Sequence, residues 1–134
     1  MTRSRMLLLL PVFWLPALWA NQAVGQLTGV VLHTPPLWAD YFVCSVVNSS
    51  TSNRLVTAKI LDKNGLAMPT NPIAGGCTQA TLNPGQACGV IASGNGVQLG
   101  YCKIGVPLAL KQDVRGSLYA SKQNGATAVV VQAE

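Results

Sequence analysis

Carboxylates are scarce in this chain. Asp40, Asp62, Asp113 and Glu134 are its only acids and His33 its only histidine, so paired carboxylates, histidine-centred triads and acid/histidine metal sets have few residues to draw on. Four of the five also have a plain local role. Asp62 opens the turn sequence Asp62-Lys63-Asn64-Gly65, Asp113 precedes an extended run, Glu134 ends the chain, and His33 stands at a strand end before Thr34-Pro35-Pro36. Gly-x-Ser-x-Gly is missing, as is any phosphate-binding glycine loop. The residues therefore predict no catalytic set, no metal site and no cofactor. Positive charge is sparse as well: a formal +5, falling to +3 without Arg3 and Arg5, is too weak and too scattered for a nucleic-acid footprint. No window carries helical periodicity.

Long apolar runs are confined to the amino terminus. Arg3 and Arg5 precede an apolar stretch from Met6 to about Ala20, which is followed by a short polar segment. That is the layout of a secretory signal peptide. A membrane anchor would need about 20 uninterrupted apolar residues, whereas this run is broken by Pro11 and Pro16 and followed by no stop-transfer charges. Cleavage sites of the small-x-small kind end at Ala20 and at Gly25, and the second has the polar spacer. The expected division is a signal peptide over 1–25 and one domain over 26–134, secreted or periplasmic, with no membrane span after cleavage. That domain has seven basic and four acidic side chains, far below the roughly 25% charged residues of an average domain. Its surface must be built from Ser, Thr, Asn, Gln and Gly.

Four cysteines lie in the exported part: Cys44, Cys77, Cys88 and Cys102. Cys-x-x-Cys does not occur, which disfavours both structural zinc and a thioredoxin-like pair, and an even count in a small exported chain indicates disulfides. Strand parity selects the pairing among three possibilities. In the run 41–48, Phe42, Cys44 and Val46 share a face; in 97–106, Cys102 shares one with Ile104 and Val106. Cys44 and Cys102 are then core positions on long strands, and Cys77 and Cys88 close the loop around Asn83-Pro84-Gly85.

Candidate strands cover 27–33, 41–48, 54–62, 80–82, 87–93, 97–106, 114–121 and 126–133, separated by Pro, Gly, Asn and Ser clusters. Asn95-Gly96 and Asn124-Gly125 supply the positive φ angles of type I′ turns, so hairpins are expected at 93–96 and 123–126. About seven or eight short strands with a turn roughly every ten residues predict an all-β antiparallel sandwich held by two disulfides, with a barrel as the other closure.

Several short elements carry a likeness. Cys44-x-Val46-x-Asn48, Asp62-x-x-Gly65, Leu82-x-Pro84-Gly85, Tyr101-Cys102 and Val114-Arg115-Gly116-Ser117-Leu118 resemble small exported bacterial β-sandwich proteins of immunoglobulin-like type. The resemblance spans about 40–133. It implies an immunoglobulin-like sandwich and export, and brings no activity with it.

With Phe42, Cys44, Cys102, Ile104 and Val114 facing inward, Tyr41, Tyr101, Lys103, Arg115 and Tyr119 face outward. If their strands adjoin, these side chains form a ligand-binding face able to stack on sugar rings and pair with anionic groups. The expected function is a non-catalytic binding or assembly module of the cell envelope or extracellular space, with an envelope polymer or a protein as partner. The alternative is a secreted inhibitor or effector that presents the 77–88 loop. Asn48-Ser49-Ser50 is formally a glycosylation sequon, although an Asn that ends a strand needs no such role.

Exported protein is expected to begin at Gln26 and to contain no free thiol. Intact mass, terminal sequencing and alkylation without reduction check this; a retained leader or two alkylated cysteines would contradict it.

Overall fold

The computed structural model describes residues 29–73, 76–122 and 129–134. The leader, its cleavage sites and the hairpin expected at 123–126 lie outside the described residues. Eight strands form one antiparallel sheet: β1 (Val30–His33), β2 (Leu37–Asn48), β3 (Arg54–Asp62), β4 (Thr70–Ile73), β5 (Ala80–Leu82), β6 (Ala87–Val106), β7 (Val114–Ser121) and β8 (Val129–Gln132). The described residues hold no α-helix, only a single 3-10 turn over Lys111–Asp113. Among them no helix is long and apolar enough to cross a membrane.

Strand β6 organises everything else. Along one side it pairs with β2 and then β1; along the other it pairs with β4 and then β3. β7 adds to the far side of β2, β8 to β7, and β5 to β3. The hairpin expected at 93–96 is not formed. Residues 87–93 and 98–100 are both paired to β2 in the same direction, and residues 94–97 bulge out opposite Asp40 alone, between the Ala39–Gln98 and Tyr41–Ser93 pairs. Gly96 has φ of +122°, so the conformational freedom read as a turn signal is used to eject a bulge without reversing the chain.

The bulge is also where the sheet folds over. Cys44 sits opposite Val90 and is bonded to Cys102, with Cα atoms 5.8 Å apart. In a straight strand Val90 and Cys102 would lie about 40 Å apart. β6 must therefore bend back on itself, so that its first half (with β2, β4, β7 and β8) and its second half (with β1, β3 and β5) cover a common core. The expected parity holds on both sides of the bend. Phe42, Cys44 and Val46 of β2, Cys102, Ile104 and Val106 of β6, and Val114 and Leu118 of β7 are buried. They are joined by Val56, Ala58 and Ile60 of β3. Gly116 is required here because a Cβ would collide with the Ile104 side chain.

Both expected disulfides are present. Cys77–Cys88, with Cα atoms 5.2 Å apart, closes a short loop, and Cys44–Cys102 a long one. Chain-entropy estimates give roughly 3 and roughly 4 kcal/mol for loops of these lengths.

β2 and β4 depart further from expectation. β2 begins at Leu37, ahead of the predicted start at 41, because Thr34 bridges the Pro35-Pro36 break: its N–H donates to the Cys102 carbonyl at 3.0 Å, and its hydroxyl accepts from the Cys102 N–H at 2.9 Å. β4, with Asn71-Pro72, was hidden under turn-forming residues. Its one partner among the described residues is β6, and an edge position tolerates a proline that brings no N–H to the ladder. At the carboxyl end, Ala133 N–H donates to the Gly116 carbonyl at 2.9 Å, and Glu134 exchanges backbone hydrogen bonds with His33 at 3.1 and 3.2 Å. These last residues thus stitch β7 to β1.

Asn48 explains why the end of β2 is ordered. The residue is fully buried. Its Nδ2 donates to the carbonyls of Ser52 at 2.8 Å and Leu82 at 2.9 Å, while Oδ1 accepts from the Ser50 N–H at 3.0 Å and its hydroxyl at 2.8 Å. The sequon nitrogen is therefore spent inside the fold. Asn48→Ala is expected to cost about 2–4 kcal/mol, since it leaves buried backbone partners unpaired. Urea denaturation checks this: the midpoint should fall at unchanged slope, and a loss below about 0.5 kcal/mol would contradict the role.

Candidate functional site

The bend in β6 decides which outward residues can meet. Because the two halves share a core, outward side chains on the first half and on the second half point to opposite sides of the molecule. Tyr41 and Tyr119 come together on the first half: Tyr41 stands opposite Ser121 and Tyr119 opposite Val43, which makes the two tyrosines diagonal neighbours on one face. Arg115 shares that face, opposite Val47, but lies four residues along β7 from Tyr119, about 13 Å away. Tyr101 and Lys103 belong to the second half. The five residues are thus divided, three on one face and two on the other.

The second face gains what the first loses. Lys103 of β6 stands directly opposite Lys59 of β3 on one side and His33 of β1 on the other, and all three side chains are exposed. Tyr101 lies two residues before Lys103, and its ring is 6.0 Å from that of His33, tilted by 37°. Neither lysine makes an ion pair among the described residues. Like charges directly opposite each other on a sheet are destabilising, so the fold itself gains nothing from this pair.

Beneath the ammonium groups lies a depression of about 340 Å³, lined by Thr57, Lys59, Leu61, Gly65, Ala67, Lys103 and Gly105. Gly105 and Gly65 contribute no side chain to fill it. Its wall is set by the turn after β3, where Asp62 Oδ1 accepts the Asn64 and Leu66 N–H groups at 2.8 and 2.9 Å, and Gly65 takes φ of +77°. Two adjacent cations over a small hollow, with aromatic rings at one side, suit an anionic group carried on a ring-containing polymer.

The remaining residues singled out from the sequence are structural. Asp113 precedes β7 as expected and does more: it is buried, its Oδ2 pairs with Arg54 Nη2 at 2.7 Å, and it accepts the Leu110 N–H at 2.9 Å. Arg54 is 59 residues away, so nothing local pointed to the pair. The 77–88 segment is built into the sheet through β5 and through the Ala58 N–H, which donates to the Cys77 carbonyl at 2.7 Å. Its exposed tip is the Asn83–Gln86 turn, closed by a 3.0 Å backbone bond, with Gly85 at φ of +77°. Among the described residues no three His, Cys, Asp or Glu side chains group as metal ligands would.

Lys59 was missed at the sequence level. Its outward parity could be read from "RLVTAKILD", but its register with Lys103 depends on strand order. Comparison with known protein families, curated proteins and solved structures gives no match for this chain.

Lys59→Glu is expected to stabilise the fold by about 0.2–1 kcal/mol, because it replaces a cross-strand repulsion by an attraction. Thermal or urea unfolding at low salt measures it, and 0.5 M salt should shrink the gain. A destabilised variant would show that Lys59 serves the fold.

Proposed function

We propose that this chain is an exported, non-catalytic binding module with an immunoglobulin-like β-sandwich architecture, which holds an anionic envelope polymer on the face made by β1, β6 and β3. The observation that carries the reading is the Lys59–Lys103 pair, in register and without an ion-pair partner among the described residues, beside His33 and Tyr101. A sheet that keeps two cations opposite each other gives up stability, and such a concession is characteristic of a site that is complete only with its ligand. The two disulfides support the compartment, since such bonds persist where the surroundings are oxidising. They also support the mode of action: a braced sheet presents its outward side chains with little ordering cost on binding.

The inhibitor reading draws less support. Most of the 77–88 segment is tied into the sheet, which leaves only the short turn at 83–86 to project.

Binding to isolated peptidoglycan and to outer-membrane polysaccharide, by cosedimentation and calorimetry, tests the proposal. Affinity for the anionic polymer is expected to fall with added salt. The double variant Lys59→Gln, Lys103→Gln should lose roughly tenfold and most of the salt dependence. The triple variant Tyr41→Ala, Arg115→Ala, Tyr119→Ala should bind like the parent. Equal binding by the lysine variant, or loss confined to the triple variant, would move the site to the opposite face.

A further inference from the structure

Among the described residues, the most exposed large aromatic lies at the other end of the same face. Trp38 of β2 is 64% exposed, although it is paired in the ladder near the start of the strand, opposite Leu99. Its neighbours in the strand obey the core pattern, Ala39 being buried at 1%, so Trp38 is held outward by strand parity. Val97 and Leu66, exposed by 50% and 66%, flank the same region. A lone exposed apolar residue is ordinary. Three around two adjoining clefts mark a contact surface.

The clefts are made by the bulge. One, of about 250 Å³, runs between Trp38 and the turn after β3, with Lys63, Gln98 and Leu99 along it; the other, of about 560 Å³, separates residues 66–69 from residues 93–98. Asp62, Val97 and Gln98 line both, so Val97 is a ridge between two compartments of one groove.

The polar groups in the groove have hydrogen-bonding capacity to spare. Asp62 uses Oδ1 for two backbone N–H groups and leaves Oδ2 open. The Gln98 side-chain amide has no hydrogen-bond partner among the described residues, and it lies close to Gly94 of the bulge, where a Cβ would meet it. The missing side chain at Gly94 leaves the amide room over the bulge. Lys63 adds a donor.

We propose that this groove is a saccharide site. A pyranose ring presents an apolar C–H face and an edge of hydroxyl groups that both donate and accept. Trp38 supplies a flat apolar platform for the face. The Asp62 carboxylate accepts from the hydroxyls, Lys63 donates to them, and the Gln98 amide does both. Aromatic platforms flanked by a few fixed polar groups are what orient a small polar ligand in a shallow cleft. Positive charge is minor here, so the ligand class is a neutral sugar unit, and the inference stands independently of the anion-binding reading.

Exported protein is titrated by calorimetry with neutral oligosaccharides of glucose and of N-acetylglucosamine, alongside variants whose thermal unfolding is shown to match the parent. At least one series is expected to bind. Trp38→Ala should weaken that binding by up to about tenfold, Trp38→Phe should retain most of it, and Gln98→Ala should weaken it severalfold. The Lys59→Gln, Lys103→Gln variant and 0.5 M salt should leave it unchanged, which separates this site from the anionic one. No binding by the parent to either series, or undiminished binding by Trp38→Ala, would overturn the proposal. Binding lost only in the lysine variant would overturn it too.

Discussion

Cys44 has two neighbours that an extended chain would keep far apart: Val90 beside it in the ladder and Cys102 across the core. Every larger feature follows from meeting both. β6 has to bend, so one of its two partner edges must lose register, and the cost falls on Asp40 and the four residues opposite it. The bend puts two hydrophobic faces against each other and gives a domain of modest length a core it can close. It also turns one outward surface into two that look away from each other.

Much of this was legible in advance because alternation in a strand is a local property. Phe42, Cys44 and Val46, or Cys102, Ile104 and Val106, declare their inward face whatever they pair with, and that was enough to pair the cysteines. Three strands, 54–62, 80–82 and 114–121, have the expected bounds. The failures share one cause, that a backbone preference does not name the structure that uses it. Asn95-Gly96 favours positive φ equally in a hairpin and in a bulge, and only the shared partner β2 distinguishes the two. Pro72 argues against a central strand and says nothing against an edge. The candidate site was half legible for the same reason: outward parity found Tyr101 and Lys103, while strand order, a long-range property, brought Lys59 and His33 to them and took Tyr41, Tyr119 and Arg115 away.

A chain with so few charges uses its polar groups with economy. Asn48 performs four hydrogen bonds at the junction of β2, β5 and the loop between β2 and β3, and Asp113 ties Arg54 to the 3-10 turn while accepting a backbone N–H. Both lie deep, where an unmet partner is expensive. Lys59 and Lys103, by contrast, are spent on the surface with no ion-pair partner among the described residues. The hydrogen-bonded Asn48 and Asp113 at depth, set against two surface lysines unpaired among the described residues, separate residues that hold the structure from residues available to a ligand.

The backbone bonds between His33 and Glu134 join positions a hundred residues apart. Folding that depends on such distant contacts is slow, because loop closure comes before any reward. The seam between β1 and β7 cannot be sewn until residue 134 has been synthesised, so the edge of β1 away from β6 gains its two backbone bonds to Glu134 last.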